Sequence, residues 1–210
     1  IFTKLGIFLK MRVSLHKILF KNMLNRRILR IKAFKVLYSS VLSDDMTLSH
    51  AESQLEISCE ATRDLYLYML GIVSPLTAVA KERIEAAKSK FNPTEEERNP
   101  NMKFAENALA ALLDKDPDFN KLFAKKKLSW QQYDLFLKKV MSSVMTKDYY
   151  AEYMASETRS LAEDCRLFTR IFEEEFVDSE DLEKILEDKS IYWNDTRLYL
   201  YGNTTLCSNR

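Results

Sequence analysis

The chain has 210 residues, 46% of them hydrophobic, enough to bury a core in one ordinary domain or two small ones. It contains three glycines and four prolines, and turn-rich β architectures need those residues at hairpins and bulges, so the expected fold is all-α. The net charge of +1 conceals an asymmetry: residues 1–43 carry ten cations and no acid, which leaves 22 cations against 31 acids in the remainder. A basic arm on an acidic body suits a protein that meets a polyanion with one end.

Residues 1–22 are basic and apolar without turn signals, and the first residue is Ile. They read as a targeting peptide, an amphipathic surface helix or an upstream stretch outside the native chain. The last is the favoured expectation, with Met23 as initiator. From Asn25 the spacing predicts a helix to about Leu42. At 100° per residue, Lys32, Lys35 and Ser39 share one narrow stripe. Ile28, Ile31, Phe34, Tyr38, Val41 and Leu42 take one wide arc, and Leu29, Ala33, Val36 and Leu37 another. A helix apolar nearly all round is expected to be buried among several neighbours, showing water only its lysine stripe and its arginine-rich N-terminus.

Ser43-Asp44-Asp45 breaks the pattern, and Ser49 with Glu52 reads as a capping box for a second helix. That helix is expected to continue to about Lys90, with a break near Cys59 and a kink at Pro75. Asn92-Pro93 and Asn99-Pro100-Asn101 bound a polar loop. Phe104–Asp114 reads as a helix. Asp116-Pro117 opens another, with Asp as N-cap and Pro at the first helical position. Ser129-x-x-Gln132 is a further capping box, for a helix running to Val144. A helix from about Ser156 carries Leu161, Cys165, Phe168, Ile171, Phe172 and Phe176, and a short one from about Ser179 carries Leu182, Ile185 and Leu186. Phe168, Phe172 and Phe176 recur every fourth residue and are expected to form a core or partner-facing stripe. Thr196–Arg210 has no helical period. No apolar run is long enough to span a membrane.

The chemistry-bearing residues are few. Cys59, Cys165 and Cys207 lie far apart with no C-x-x-C pair, which argues against a disulfide framework or a zinc site and suits a reducing cytosol. His16 and His50 have no partner context for nucleophilic catalysis. Asp44-Asp45, Glu95–Glu97, Glu173–Glu175 and Asp178–Asp181 fall in loops or at helix ends, where acids solvate and cap. No phosphate-binding glycine loop is present. No cofactor, metal or catalytic residue is therefore expected.

The informative segment runs from Arg26 to Tyr38. Arg26, Arg27 and Arg30 at the mouth of a helix combine fixed charge, forked donors and the helix's own N-terminal partial charge. Phosphates are natural counter-ions, and arginine also stacks on unpaired bases, which favours single-stranded RNA. The plain alternative is a solvated basic helix end.

This segment resembles the opening of NusB transcription antitermination proteins, whose first helix follows R-R-x-x-R-x-x-A-x-x-x-L-Y. Here the pattern falls on Arg26, Arg27, Arg30, Ala33, Leu37 and Tyr38. The stretch from Ala61 through Leu70 and on through Glu82–Lys88 is similar to longer NusB variants of Bacteroidetes-type bacteria, which insert helices between the two halves of the domain. The likeness covers about residues 23–195. It implies a helical bundle of NusB type with inserted helices, arranged as NusB-like helices 23–90 and an inserted region 91–195, with the basic extension 1–22 and an irregular tail 196–210 outside the likeness. It also implies a cytoplasmic, non-enzymatic factor that binds the boxA element of ribosomal RNA leader transcripts together with NusE and the RNA polymerase elongation complex. The RNA contacts carried over are Arg26, Arg27 and Arg30, with Lys32 and Lys35 as additions, while Ala33, Leu37 and Tyr38 would pack the helix into the bundle.

The family's C-terminal half contains a helix of the type R-I-A-L-x-E-L and further helices that close the bundle. Nothing here matches it, so the last part of the domain is expected to be missing and the apolar faces of 23–90 to lack their cover. Two other functions fit the same residues. One is a NusB-like accessory domain of a ribosomal-RNA methyltransferase, and the other is a helical protein-interaction module.

Overall fold

The computed structural model describes residues 26–43 and 47–193, and every regular element among them is helical. The N-terminal extension, Met23, Asp44-Asp45 and the tail from Thr196 lie outside the described residues, as do His16 and Cys207. No helix among the described residues is long and apolar enough to cross a membrane.

The chain divides into two compact units. The first holds α1 (Arg26–Leu42), most of α2 (Leu48–Leu70), α10 (Glu180–Lys189) and a 3-10 turn at Ile191–Trp193. The second, Tyr68–Ser179, holds α3 (Val73–Lys88), α4 (Glu95–Arg98), α5 (Ala108–Lys115), α6 (Pro117–Lys125), α7 (Asp134–Val144), α8 (Asp148–Ala155) and α9 (Leu161–Ile171). Packing of α3 on α5 and α7 places it with the middle of the chain, while α10 groups with the opening helices.

In the first unit, α2 begins where the Thr47 hydroxyl accepts the amide of His50 at 3.3 Å, so the capping residue is Thr47 rather than Ser49. The helix runs unbroken past Cys59. The C-terminal turn is pinned to it by two side chains. The Trp193 indole donates to the Ala61 carbonyl at 2.7 Å, and the Tyr192 hydroxyl donates to Gln54 at 2.7 Å. Leu182, Ile185 and Leu186 are buried, as their helical spacing requires.

The second unit opens with a turn at Gly71-Ile72, which ends α2 before Pro75 is reached. Pro75 is then the third residue of α3, where a missing N–H costs no intrahelical bond. In place of the expected kink stand a break and a proline-tolerant first turn. Asp116 caps α6 as expected, accepting the amides of Asp118 and Phe119, with Pro117 in the first turn. That helix ends in a Schellman arrangement, in which Leu128 N–H bonds Phe123 O and Lys127 N–H bonds Ala124 O. Lys127 takes φ 52°, the left-handed conformation usually given to glycine.

Ser129 accepts from Gln131, but a 3-10 turn intervenes and α7 proper starts at Asp134. The polar loop contains a single helical turn, α4, with a capping box between Thr94 and Glu97. α8 has no counterpart among the expected helices. α9 is capped by Ser160 rather than begun at Ser156, which instead closes α8. After Ile171 the helix widens to a π-turn, Phe172–Phe176.

The core of this unit is aromatic. Tyr68 and Trp130 stack with centroids 4.2 Å apart, Trp130 lies on Phe136, and Phe136, Phe176 and Phe172 continue the chain of rings. Phe168, Phe172 and Phe176 are all buried, so the four-residue stripe is core.

Candidate nucleic-acid interface

α1 reads RRILRIKAFKVLYSSVL and contains no acidic residue. Arg26, Arg27 and Arg30 are exposed, and none of the three pairs with a carboxylate among the described residues. Three fixed cations at a helix N-terminus, where backbone N–H groups also lack intrahelical acceptors, make a strongly electropositive end.

Projection at 3.6 residues per turn puts Arg26, Leu37, Arg30, Val41, Phe34, Arg27 and Tyr38 within an arc of about 120°. The side chains on that arc face water: Phe34 is 67% exposed, Leu37 62%, Tyr38 59% and Val41 81%. The Phe34 and Tyr38 rings run nearly parallel, with centroids 6.3 Å apart and planes 23° from each other. The helix is therefore not buried all round, and Leu37 and Tyr38, expected to pack it into a bundle, stand outward. On α2 and α3, Leu65, Leu67, Leu76 and Val79 are buried, while Leu48 and Ile57 of α2 are exposed.

Lys32 projects on the opposite side of the helix and is the one buried residue of α1. Its ammonium donates to the Ser58 hydroxyl at 3.0 Å. The stripe expected to face water is thus split. Lys35 is exposed, whereas Lys32 is turned inward and does not present its charge on the outer face. Next to Ser58, burial pushes the pKa of the Cys59 thiol above its ordinary value, opposed by the positive charges of Lys32 and Arg63. A protonated thiol is a poor metal ligand and a poor nucleophile.

The other candidates resolve into structure. Glu97 caps α4 and holds Lys90 in an ion pair. The bond from Lys90, and then the Thr94 amide, hold its carboxyl below the usual carboxylate range. Glu175 lies 3.6 Å from Lys147. No group of three His, Cys, Asp or Glu side chains among the described residues is arranged to hold a metal ion. Trp130 donates its indole N–H to the Tyr68 carbonyl at 2.8 Å and, like Trp193, is a buried anchor.

The second unit contains a buried polar cluster that no sequence motif announces. The Lys103 ammonium donates to the carbonyls of Tyr153 at 2.7 Å and Ser156 at 2.9 Å, lies 3.2 Å from Glu163 and sits over the Tyr153 ring. The Tyr153 hydroxyl donates to Asp164 at 2.6 Å, and the other oxygen of Asp164 accepts the Ala108 amide at the start of α5. Each of these groups meets a partner within the unit, so the cluster joins α5, α8 and α9. A cleft of about 520 Å³ beside α3 is lined by Arg83, Ile84, Met141, Met145 and Tyr150, and Arg83 donates to Ser142 at 2.8 Å.

No protein-family model, curated protein or solved structure matches this chain. The fold and the outer face of α1 define an all-helical protein with a cationic, partly aromatic helix surface.

Proposed function

We propose that this chain is an RNA-binding transcription antitermination factor of NusB type, acting without catalysis in the cytoplasm. In this reading Arg26, Arg27 and Arg30 hold a short single-stranded boxA-type element of a ribosomal RNA leader. Lys35 adds charge at the side, and NusE with the RNA polymerase elongation complex supplies the protein partners. The observation that carries the reading is the mouth of α1, where three exposed arginines meet no acid among the described residues and are left for an external anion. The resemblance of Arg26–Tyr38 to the family's opening helix names the anion.

The test is binding of a labelled boxA-type RNA at several salt concentrations. Each phosphate neutralised on a single strand contributes about −0.7 to the slope of log K against log salt. Replacing Arg26, Arg27 and Arg30 together by alanine is expected to abolish binding at moderate salt and to flatten the slope by about 2. Equal affinity in the triple variant refutes the reading.

A second reading, a protein-interaction module, is favoured by one specific observation, the exposure of Leu37, Val41 and Leu42 on α1. Pull-down with and without nuclease separates the two: loss of partners on nuclease treatment supports RNA, and retention supports protein docking.

A further inference from the structure

We infer that Phe34 and Tyr38 are base-stacking residues which extend the arginine cluster into a continuous single-strand track along α1, a role that rests on the RNA reading above and adds what charge alone does not supply. Arg30, Phe34 and Tyr38 follow one another at intervals of four residues, so each step advances about 6 Å along the helix on nearly the same side. Arg27 lies between Phe34 and Tyr38 in projection, and Arg26 flanks Arg30. The track therefore begins in guanidinium groups and ends in two near-parallel rings.

Both rings are more than half exposed. An exposed pair of aromatics on a helix without a single acid is the composition that takes up unpaired bases, since stacking tolerates any base and the arginines hold the backbone. Charge complementarity selects this occupant over a protein surface of ordinary composition. A protein partner seated here would have to neutralise three arginines as well as cover the rings, whereas an RNA strand does both with one repeating unit. Leu37 and Val41 border the rings and form an apolar edge against which a base can lie.

The experiment is fluorescence anisotropy of the short labelled boxA-type RNA, with the full chain as wild type, as the triple arginine variant and as single variants. Phe34→Ala and Tyr38→Ala are each expected to weaken binding about tenfold, or about 1.4 kcal/mol, with the salt slope unchanged. Phe34→Trp is expected to restore or improve it. Because both side chains are exposed, the variants are expected to keep the wild-type circular dichroism, which is recorded alongside.

Wild-type affinity in both alanine variants, while the triple arginine variant loses binding, overturns the stacking role and leaves the arginine reading intact. No binding by the wild type overturns both. A change in sedimentation or in partner capture, with RNA affinity unchanged, assigns the rings to a protein interface and also overturns the inference.

Discussion

In the second unit, the buried polar side chains of Lys103, Tyr153 and Asp164 find partners in the same unit, and large apolar groups stack on one another. On α1, by contrast, the three arginines meet no acid among the described residues, and four large apolar side chains of the same arc face water. A buried ammonium without acceptors is costly, so the inward-facing cation of the second unit is enclosed by carbonyls. The exposed Arg26, Arg27 and Arg30 of α1 carry no such requirement. The difference locates where this chain closes its interactions internally and where it leaves them for something else.

Removing the enclosed cation is the most forceful way to break that contrast. Lys103→Met leaves the Tyr153 and Ser156 carbonyls without their donor and the Glu163 carboxylate without its ion-pair partner, and is expected to cost about 3 kcal/mol in chemical denaturation. A loss near zero would mean that the cluster does not hold α8 and α9 in place.

A smaller effect is expected at alkaline pH. Burial pushes the Tyr150 hydroxyl up to about 12, and raises Tyr68 and Tyr153 as well. A folded-state value above the unfolded one, about 10, means that the stability contribution is complete below a pH of about 10 and is lost as pH rises towards about 12. Tyrosinate absorbance and circular dichroism should therefore change together across that window. Ionisation in the folded state at ordinary tyrosine values would contradict the burial.

The smallest effect is expected on α1, and it sharpens the other side of the contrast. Val41→Ser should change stability by no more than about 0.5 kcal/mol, because the side chain it removes is already in water. A larger loss in chemical denaturation would show that this face is covered.

Much of the helical content is legible in the sequence because it follows from local rules. Scarce glycine and proline, the Asp116-Pro117 start and the Leu182, Ile185, Leu186 spacing all appear in the structure as read. What periodicity does not supply is direction. It places Lys32 and Lys35 on one stripe, but only the packing of α1 through Ser58 decides that Lys32 turns inward. The same gap hides Phe34 and Tyr38, whose apolar character reads as core until the opposite side of the helix is found to be the inner one. α8 escapes a sequence reading because Asp148–Ala155 has no side-chain cap and is rich in tyrosine, a weak helix former. The break at Gly71 is masked by an apolar pattern that continues on both sides of it.

The two tryptophans have a practical consequence. The sequence contains two, and the structure gives one to each unit, Trp193 in the first and Trp130 in the second. A Trp193→Phe chain emits from the second unit alone, and a Trp130→Phe chain from the first, so the melting of each half can be watched separately by its own native fluorophore.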